Sequence, residues 1–179
     1  MRSLGWKAIH IEGLPTNYDK LIQNRPESLN INAALCEKEA TVHFLNAGGV
    51  QESSGIYEFM SPTFRKNWHK AWNDENIQHA HAVDCLPLYE ILHFFHVKHI
   101  DFWVLDIEGG EFAVLKSFFS VERTNKFIVT IDIIVIEFDG GDLDREKNIR
   151  LILEQNGYKS LRMPDDKQNV WFVHNRFKY

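Results

Sequence analysis

The feature that most constrains the fold of this chain is the long apolar run Ile128–Phe138, which reads IVTIDIIVIEF. Its β-branched residues favour a strand over a helix. A second run, Ile100–Ile107 (IDFWVLDI), has no continuous polar face. Strands that are apolar on both sides are typical of the middle of a parallel sheet. The two runs therefore predict buried neighbouring strands at the centre of an α/β fold.

Helical patterns separate these strands. Leu88–Phe95, Glu111–Phe119 and Lys147–Gln155 repeat apolar residues at helical spacing. The remaining predicted elements are a helix at Thr16–Asn24 and strands at Trp6–Ile11, Ile31–Cys36, Ala40–Leu45, Tyr158–Arg162 and Val170–His174. A turn at Pro164–Lys167 joins the last two strands, and Asn46–Asp84 is predicted to be a long irregular insertion. The order predicts a doubly wound, mostly parallel sheet with a C-terminal antiparallel hairpin, in one domain over residues 1–179.

Charge and composition limit the partners of the chain. The net charge is −5 and Lys and Arg are not concentrated in any run, which argues against nucleic acid or an anionic membrane as the main partner. No signal peptide or membrane-length apolar run is present, so we expect a soluble chain with no membrane segment, cytoplasmic by default. Compartment and oligomeric state stay open. Cys36 and Cys85 are expected to be buried thiols rather than a disulfide framework or a zinc site.

Glu12 is the first candidate functional residue. It ends the first predicted strand and is followed by Gly13 and Pro15. In dinucleotide-type folds an acidic residue at this place accepts hydrogen bonds from the ribose hydroxyls. The spacing alone leaves open the alternative of a solvated carboxylate at a strand end.

The second candidate is the acidic segment Asp106–Glu111 (DIEGGE), which lies between a buried strand and a helix. Collecting three carboxylates at the mouth of a sheet is unfavourable unless donors, water or a cation compensate. Ligands of open α/β sheets bind at this edge, and Glu137 and Asp139 are expected to face the same crevice. The alternative is that Glu108 and Glu111 stabilise the helix N-terminus.

Nine histidines are present, and three of them have helix-compatible spacing: His93, His96 and His99. A metal site combining one of them with Asp106 or Glu108 is conceivable, but no motif fixes two ligands on one face. No metal is therefore predicted.

Taken together, several segments resemble FkbM-family methyltransferases. Gly5–Glu12 (GWKAIHIE), with the later Pro15, Tyr18, Leu21 and Asn24-Arg25-Pro26, resembles the second-strand block of the family. Leu105–Leu115 (LDIEGGEFAVL) resembles its D-x-E-G-x-E block. Ile136-Glu137 and Asn156-Gly157-Tyr158 resemble its fifth strand and the opening of its terminal hairpin. These blocks cover nearly the whole chain in family order.

The resemblance implies a Rossmann-like class I methyltransferase that transfers the methyl group of S-adenosylmethionine to a hydroxyl of a small molecule, sugar or lipid. Carried over, Glu12 would bind the ribose and Asp106 would line the pocket near the methionine end. Asp106, Glu108 and Glu111 are the candidate catalytic residues, one of which would orient or deprotonate the acceptor hydroxyl. We therefore expect Glu12, Asp106 and Glu108 to converge in one crevice.

Two departures from the family pattern stand out. His10 and Gly13 replace an apolar residue and a proline, and no D-x-G-A-N-x-G-like strand and loop precedes Gly5. The family's first strand would lie between the strands containing Ile9 and Val104. We therefore expect a domain incomplete at its amino terminus, inactive as written.

Two other functions stay open at this point. The first is a non-catalytic interaction module that keeps the methyltransferase shell; the nucleotide sequence upstream of Met1 would distinguish it from an incomplete enzyme. The second is a metal-dependent hydrolase using Asp106, Glu108, Glu111 and a histidine, which would bind a divalent metal.

Overall fold

The computed structural model describes residues 5–45, 54–122, 128–138, 142–161, 163 and 169–178. The chain divides into two compact units, Met1–Leu86 and Pro87–Tyr179, and each is described by itself. The α/β class is confirmed. Within the described residues the strands form three sheets rather than one. Three expectations remain predictions: a single Rossmann-like sheet, the absence of its first strand, and a single domain. The predicted turn at 164–167 lies outside the described residues.

The first unit begins with a β-α-β segment that positions Glu12. It consists of β1 (Ile9–Glu12), α1 (Pro15–Asn24) and β2 (Leu29–Asn32). β1 and β2 pair in parallel, with Glu12 opposite Asn32. Pro15 begins the helix, where a missing backbone N–H is tolerated because that group has no partner within the helix. The predicted first strand and helix are confirmed with slightly shifted ends.

The second sheet of this unit has the order β3-β6-β4-β5. Its strands are β3 (Ala34–Leu35), β4 (Ala40–Leu45), β5 (Gly55–Ile56) and β6 (His81–Leu86). Between β5 and β6 lie a helix, α2 (Pro62–Trp68), and two 3₁₀ turns at Tyr57–Phe59 and Ile77–His79. The prediction of an irregular insertion over Asn46–Asp84 is therefore wrong for its described part. β6 was missed because its stability comes from antiparallel pairing with β4, which lies far away in the sequence.

Cys36 and Cys85 correct a second prediction. Both are buried, as expected, but they are joined as a disulfide, with their Cα atoms 5.7 Å apart. Cys36 directly follows β3, and β3 lies beside β6 with Ala34 opposite Cys85. This strand pairing brings together two residues that are 49 positions apart in the sequence.

The second unit alternates helices and strands around one sheet. Its elements are α3 (Leu88–Phe94), β7 (His99–Leu105), α4 (Glu111–Glu122), β8 (Thr130–Glu137), α5 (Leu143–Gln155), β9 (Tyr158–Leu161) and β10 (Asn169–His174). The strand order is β7-β8-β10-β9. β7 and β8 are parallel, whereas β10 is antiparallel to both of its neighbours. The predicted C-terminal antiparallel hairpin is confirmed.

The core of the second unit forms around β8. Ile134 of β8, Phe172 of β10, Leu153 of α5 and Phe118 of α4 are fully buried. Among the described strands β7 pairs with β8 alone, and its Val104 is 58% exposed. Among the described residues β7 is therefore an edge strand, whereas its apolar pattern alone predicts an inner strand. The family resemblance leaves this edge open, because the family's first strand would pair there. None of the described helices has the length and apolar character needed to cross a membrane.

The disulfide yields a direct prediction. Digestion of the unreduced protein should release a cross-linked peptide pair containing Cys36 and Cys85, and reduction should lower the Tm. Closing a loop of this length removes denatured-state entropy corresponding to about 4 kcal/mol in the chain-entropy model. Mass spectrometry after denaturing alkylation checks the pairing. Alkylation of both cysteines without prior reduction would contradict it.

Candidate functional site

The side chain of Glu12 is held at the end of β1 by a backbone group two residues further along the chain. Its Oε1 atom accepts a hydrogen bond from the Leu14 backbone N–H at 2.8 Å. The Asn32 side chain donates to the Glu12 carbonyl oxygen at 2.8 Å and so ties the strand end to β2. Within the described part of the chain Oε2 has no hydrogen-bond partner. One carboxylate oxygen is thus fixed while the other remains available to a ligand.

A cavity of about 520 Å³ opens between β1 and α1. It is lined by His10, Glu12, Asn17, Lys20, Leu21, Asn24 and Arg25. The Nε2 atom of His10 is buried and has no partner among the described residues. A buried polar nitrogen left unpaired is unfavourable by roughly 1–3 kcal/mol. This atom has almost no accessible surface, so the group that the cavity itself offers is the Glu12 carboxylate, with the cationic Lys20 and Arg25 in the lining.

The acidic segment of the second unit forms a tight loop between β7 and α4. The Asp106 side chain is exposed, whereas Glu111 is buried. The Oε1 atom of Glu111 accepts hydrogen bonds from the backbone N–H groups of Ile107 and Gly109, both at 3.1 Å. Glu111 thereby fixes the path of the loop in front of it.

The backbone of this loop adopts unusual conformations. Glu108 has φ +55°, a left-handed value uncommon for a residue with a side chain, and Gly109 has φ +111°. Such conformations cluster at ligand sites, where the surrounding structure compensates for their strain. Here the two hydrogen bonds to Glu111 provide part of that compensation.

The carboxyl ends of β7 and β8 lie side by side. Leu105 pairs with Ile136, so Asp106 and Glu137 are the next residues along the two strands. Asp106, Glu108, Glu111 and Glu137 therefore lie at the same edge of this sheet. That they face one crevice stays a prediction. Asp139 lies outside the described residues.

The sequence raised two further groupings, the predicted convergence of Glu12 with the acidic loop and a metal site that was not predicted. Glu12 belongs to the first unit and the acidic loop to the second, so their convergence stays a prediction. No described histidine forms a metal-capable group with Asp106 or Glu108; the one such group of three ligands in the described part of the chain is His99, Asp101 and Asp132.

The sequence analysis did not identify Asp101 and Asp132 of this group, or His10 of the cavity, as candidates. Asp101 lies two positions after His99, which in a strand places both on one face. Asp132 is an acid inside the strongest apolar run, an unusual place for a charge. His10 lies two positions before Glu12 and so shares its face of β1. His10 and Asp101 each lie two positions from a residue already considered, Glu12 and His99. Alternate residues of a strand share a face, so this spacing would have identified both.

Comparison with known proteins gives a family. The model of the Methyltransferase FkbM domain matches residues 1–160. No curated protein and no solved structure matches the chain. Since the family match covers most of the 179 residues, the chain belongs to the FkbM methyltransferase domain family.

Proposed function

We propose that this chain supplies most of the domain of an S-adenosylmethionine-dependent O-methyltransferase of the FkbM type, whose acceptor is a hydroxyl group of a small molecule, sugar or lipid. The observation that carries the proposal is the family match over residues 1–160. The geometry of Glu12 and of the acidic loop supports it, because both lie where ligands of α/β sheets bind.

The cavity beside β1 fits the ribose of the cofactor. Ribose presents two neighbouring hydroxyls, and the Oε2 atom of Glu12 is available to accept from them while Oε1 stays bonded to Leu14. His10 lines the same cavity and lies two positions before Glu12 on the same face of β1. Glu12 would therefore bind and orient the ribose, with His10 beside it.

The acidic loop provides groups for the acceptor. Bound S-adenosylmethionine supplies an electrophilic methyl group on a positively charged sulfur. The exposed carboxylate of Asp106 would accept a hydrogen bond from the acceptor hydroxyl, turn its oxygen toward the methyl group and take up its proton. Glu108 lies next to this position and is the second candidate for that role. Glu111 would act as a positioning residue, since its Oε1 is already bonded to the loop backbone.

A further part of the proposal concerns the methionine end of the cofactor. The glycine-rich D-x-G-x-N-x-G segment typical of the family does not occur among the 179 residues. We propose that this segment is required for cofactor binding and that the 179-residue chain by itself is inactive. The unpaired edge of β7, with its exposed Phe102 and Val104, is the place in the described structure where an additional strand would pair.

The first functional prediction concerns Glu12. In a form of the protein that carries the glycine-rich segment, Glu12→Ala should weaken S-adenosylmethionine binding by about 1.5–3 kcal/mol, or roughly 10- to 100-fold, because a charged hydrogen-bond acceptor is lost. Titration calorimetry measures the affinity. Glu39→Ala, which removes an exposed glutamate of the same unit, is the matched control and should bind normally. Unchanged affinity in Glu12→Ala would refute the ribose assignment.

The second prediction separates Asp106 from Glu111. In the same form, with an acceptor found by screening hydroxyl compounds for labelled methyl transfer, Asp106→Asn should lower kcat about 100-fold or more while the Tm stays unchanged, since this carboxylate is exposed and would act on the hydroxyl. Glu111→Ala should lower the Tm, because two backbone N–H groups lose their acceptor. Wild-type kcat in Asp106→Asn would exclude it as the catalytic residue.

The third prediction concerns the 179-residue chain alone. It should give no measurable heat on titration with S-adenosylmethionine and should associate with itself, because open apolar strand edges pair with other chains. Light scattering measures the association. Micromolar binding by a well-behaved monomer would show that the glycine-rich segment is dispensable.

A further inference from the structure

A second polar cluster lies at the opposite end of the β7–β8 pair from the acidic loop. His99 and Asp101 are two positions apart on β7 and share a face. Ile100 pairs with Ile131 and Phe102 with Ile133, so Asp101 and Asp132 lie opposite each other across the two strands. Like charges directly opposite destabilise a strand pair unless a cation compensates.

The imidazole of His99 is oriented toward both carboxylates. Its Nε2 atom lies 3.5 Å from Asp101 Oδ1 and 3.4 Å from Asp132 Oδ2. One potential ligand atom from each of the three residues lies within 4.8 Å of the others. Metal–ligand bonds of about 2.1 Å in a tetrahedral site place ligand atoms about 3.4 Å apart. The two nitrogen–oxygen separations match that spacing.

The hydrogen bonds of Thr130 determine which ring nitrogen of His99 faces the carboxylates. The Thr130 hydroxyl lies 2.7 Å from His99 Nδ1 and donates to the Lys98 carbonyl oxygen at 3.3 Å. With the hydroxyl hydrogen directed to Lys98, the Thr130 oxygen accepts from Nδ1–H. In that tautomer the Nε2 lone pair is aimed at two carboxylate oxygens. A positive charge between these atoms, either a bound cation or a proton on Nε2, stabilises the arrangement.

Arg176 lies beside one carboxylate oxygen of Asp132, and the other oxygen faces His99. Asp132 Oδ1 faces the Arg176 guanidinium, with 3.7 Å to Nε, whereas Oδ2 faces His99. Arg176 is anchored by donating to the Ile131 carbonyl oxygen at 3.1 Å.

We propose that His99, Asp101 and Asp132 form a binding site for one divalent transition-metal ion, with Thr130 as the positioning residue for the imidazole. One imidazole nitrogen with two carboxylate oxygens suits ions such as Zn²⁺ or Mn²⁺, whereas Mg²⁺ prefers oxygen ligands alone. The bond from Nδ1 to Thr130 is the outer-shell contact that metal-bound histidines usually make.

The position of the site indicates its role. Six residue steps separate His99 from Leu105, which corresponds to about 20 Å along a strand. The metal is therefore remote from Asp106 and does not take part in methyl transfer. It would link β7 to β8 by joining ligands from both strands, and the proposal does not depend on the function proposed above.

Metal titration of the full chain tests this site. The chelator-treated protein is titrated with Zn²⁺, Mn²⁺ and Mg²⁺ by calorimetry, and its Tm is measured with and without each ion. We expect one Zn²⁺ or Mn²⁺ ion per chain, much weaker Mg²⁺ binding, and a higher Tm with the bound ion, because a ligand that binds the folded state stabilises it.

Variants identify the ligands. Thr130→Val should weaken binding roughly 10- to 100-fold, as outer-shell changes do, and His99→Gln and Asp101→Asn should weaken it further. Asp101→Asn is the safe variant for folding, since the side chain is 75% exposed. His81→Gln and Asp84→Asn alter an exposed histidine and aspartate of another strand and should bind the metal normally.

Two results would overturn the proposal. The first is unchanged metal affinity in His99→Gln and Asp101→Asn, which would place the ion elsewhere. The second is no binding by the wild-type protein, which would mean that a proton on Nε2 of His99 compensates the two carboxylates.

Discussion

Strand β8 is the element on which the second unit depends. It pairs with β7 on one edge and β10 on the other, and its Ile134 and Ile136 are fully buried. Val135 and Ile131 on its opposite face are buried as well, so both faces of β8 contribute to the core. The register of β7 on β8 runs from the pair His99–Thr130 to the pair Leu105–Ile136. It places Asp106 next to Glu137 at one end and His99 beside Thr130 at the other.

The local sequence pattern predicted those helices and strands in which apolar residues recur with a clear period. Ala40–Leu45 was predicted with the bounds that β4 has, and the run around β8 was identified as a strand. Pairing partners were not predictable in this way. The position of β6 beside β4 and the joining of Cys36 to Cys85 both result from contacts between distant residues, which no single segment encodes.

The same distinction applies to the candidate site. Glu12 and Asp106 were predicted at strand ends, because the end of an apolar run is visible in the sequence, and both do end or directly follow a strand. The role of Glu111 was not visible. Its burial and its two backbone hydrogen bonds depend on how the loop folds back in front of α4. Asp132 was overlooked because its neighbours made the run look uniformly apolar.

The two ends of the β7–β8 pair differ in how the negative charges of their carboxylates are compensated. At the carboxyl end, the carboxylate of Glu111 is satisfied by two backbone N–H groups and that of Asp106 is exposed to water, so the loop is stable without a ligand. At the amino end, Asp101 and Asp132 face each other and the Nε2 atom of His99. A cation bound there would remove a repulsion across the ladder itself. The bound cation would thereby stabilise the pairing of β7 with β8, which also positions the acidic loop at the other end of the two strands. An ion about 20 Å from the loop would in this way support it without contacting a ligand bound at the loop.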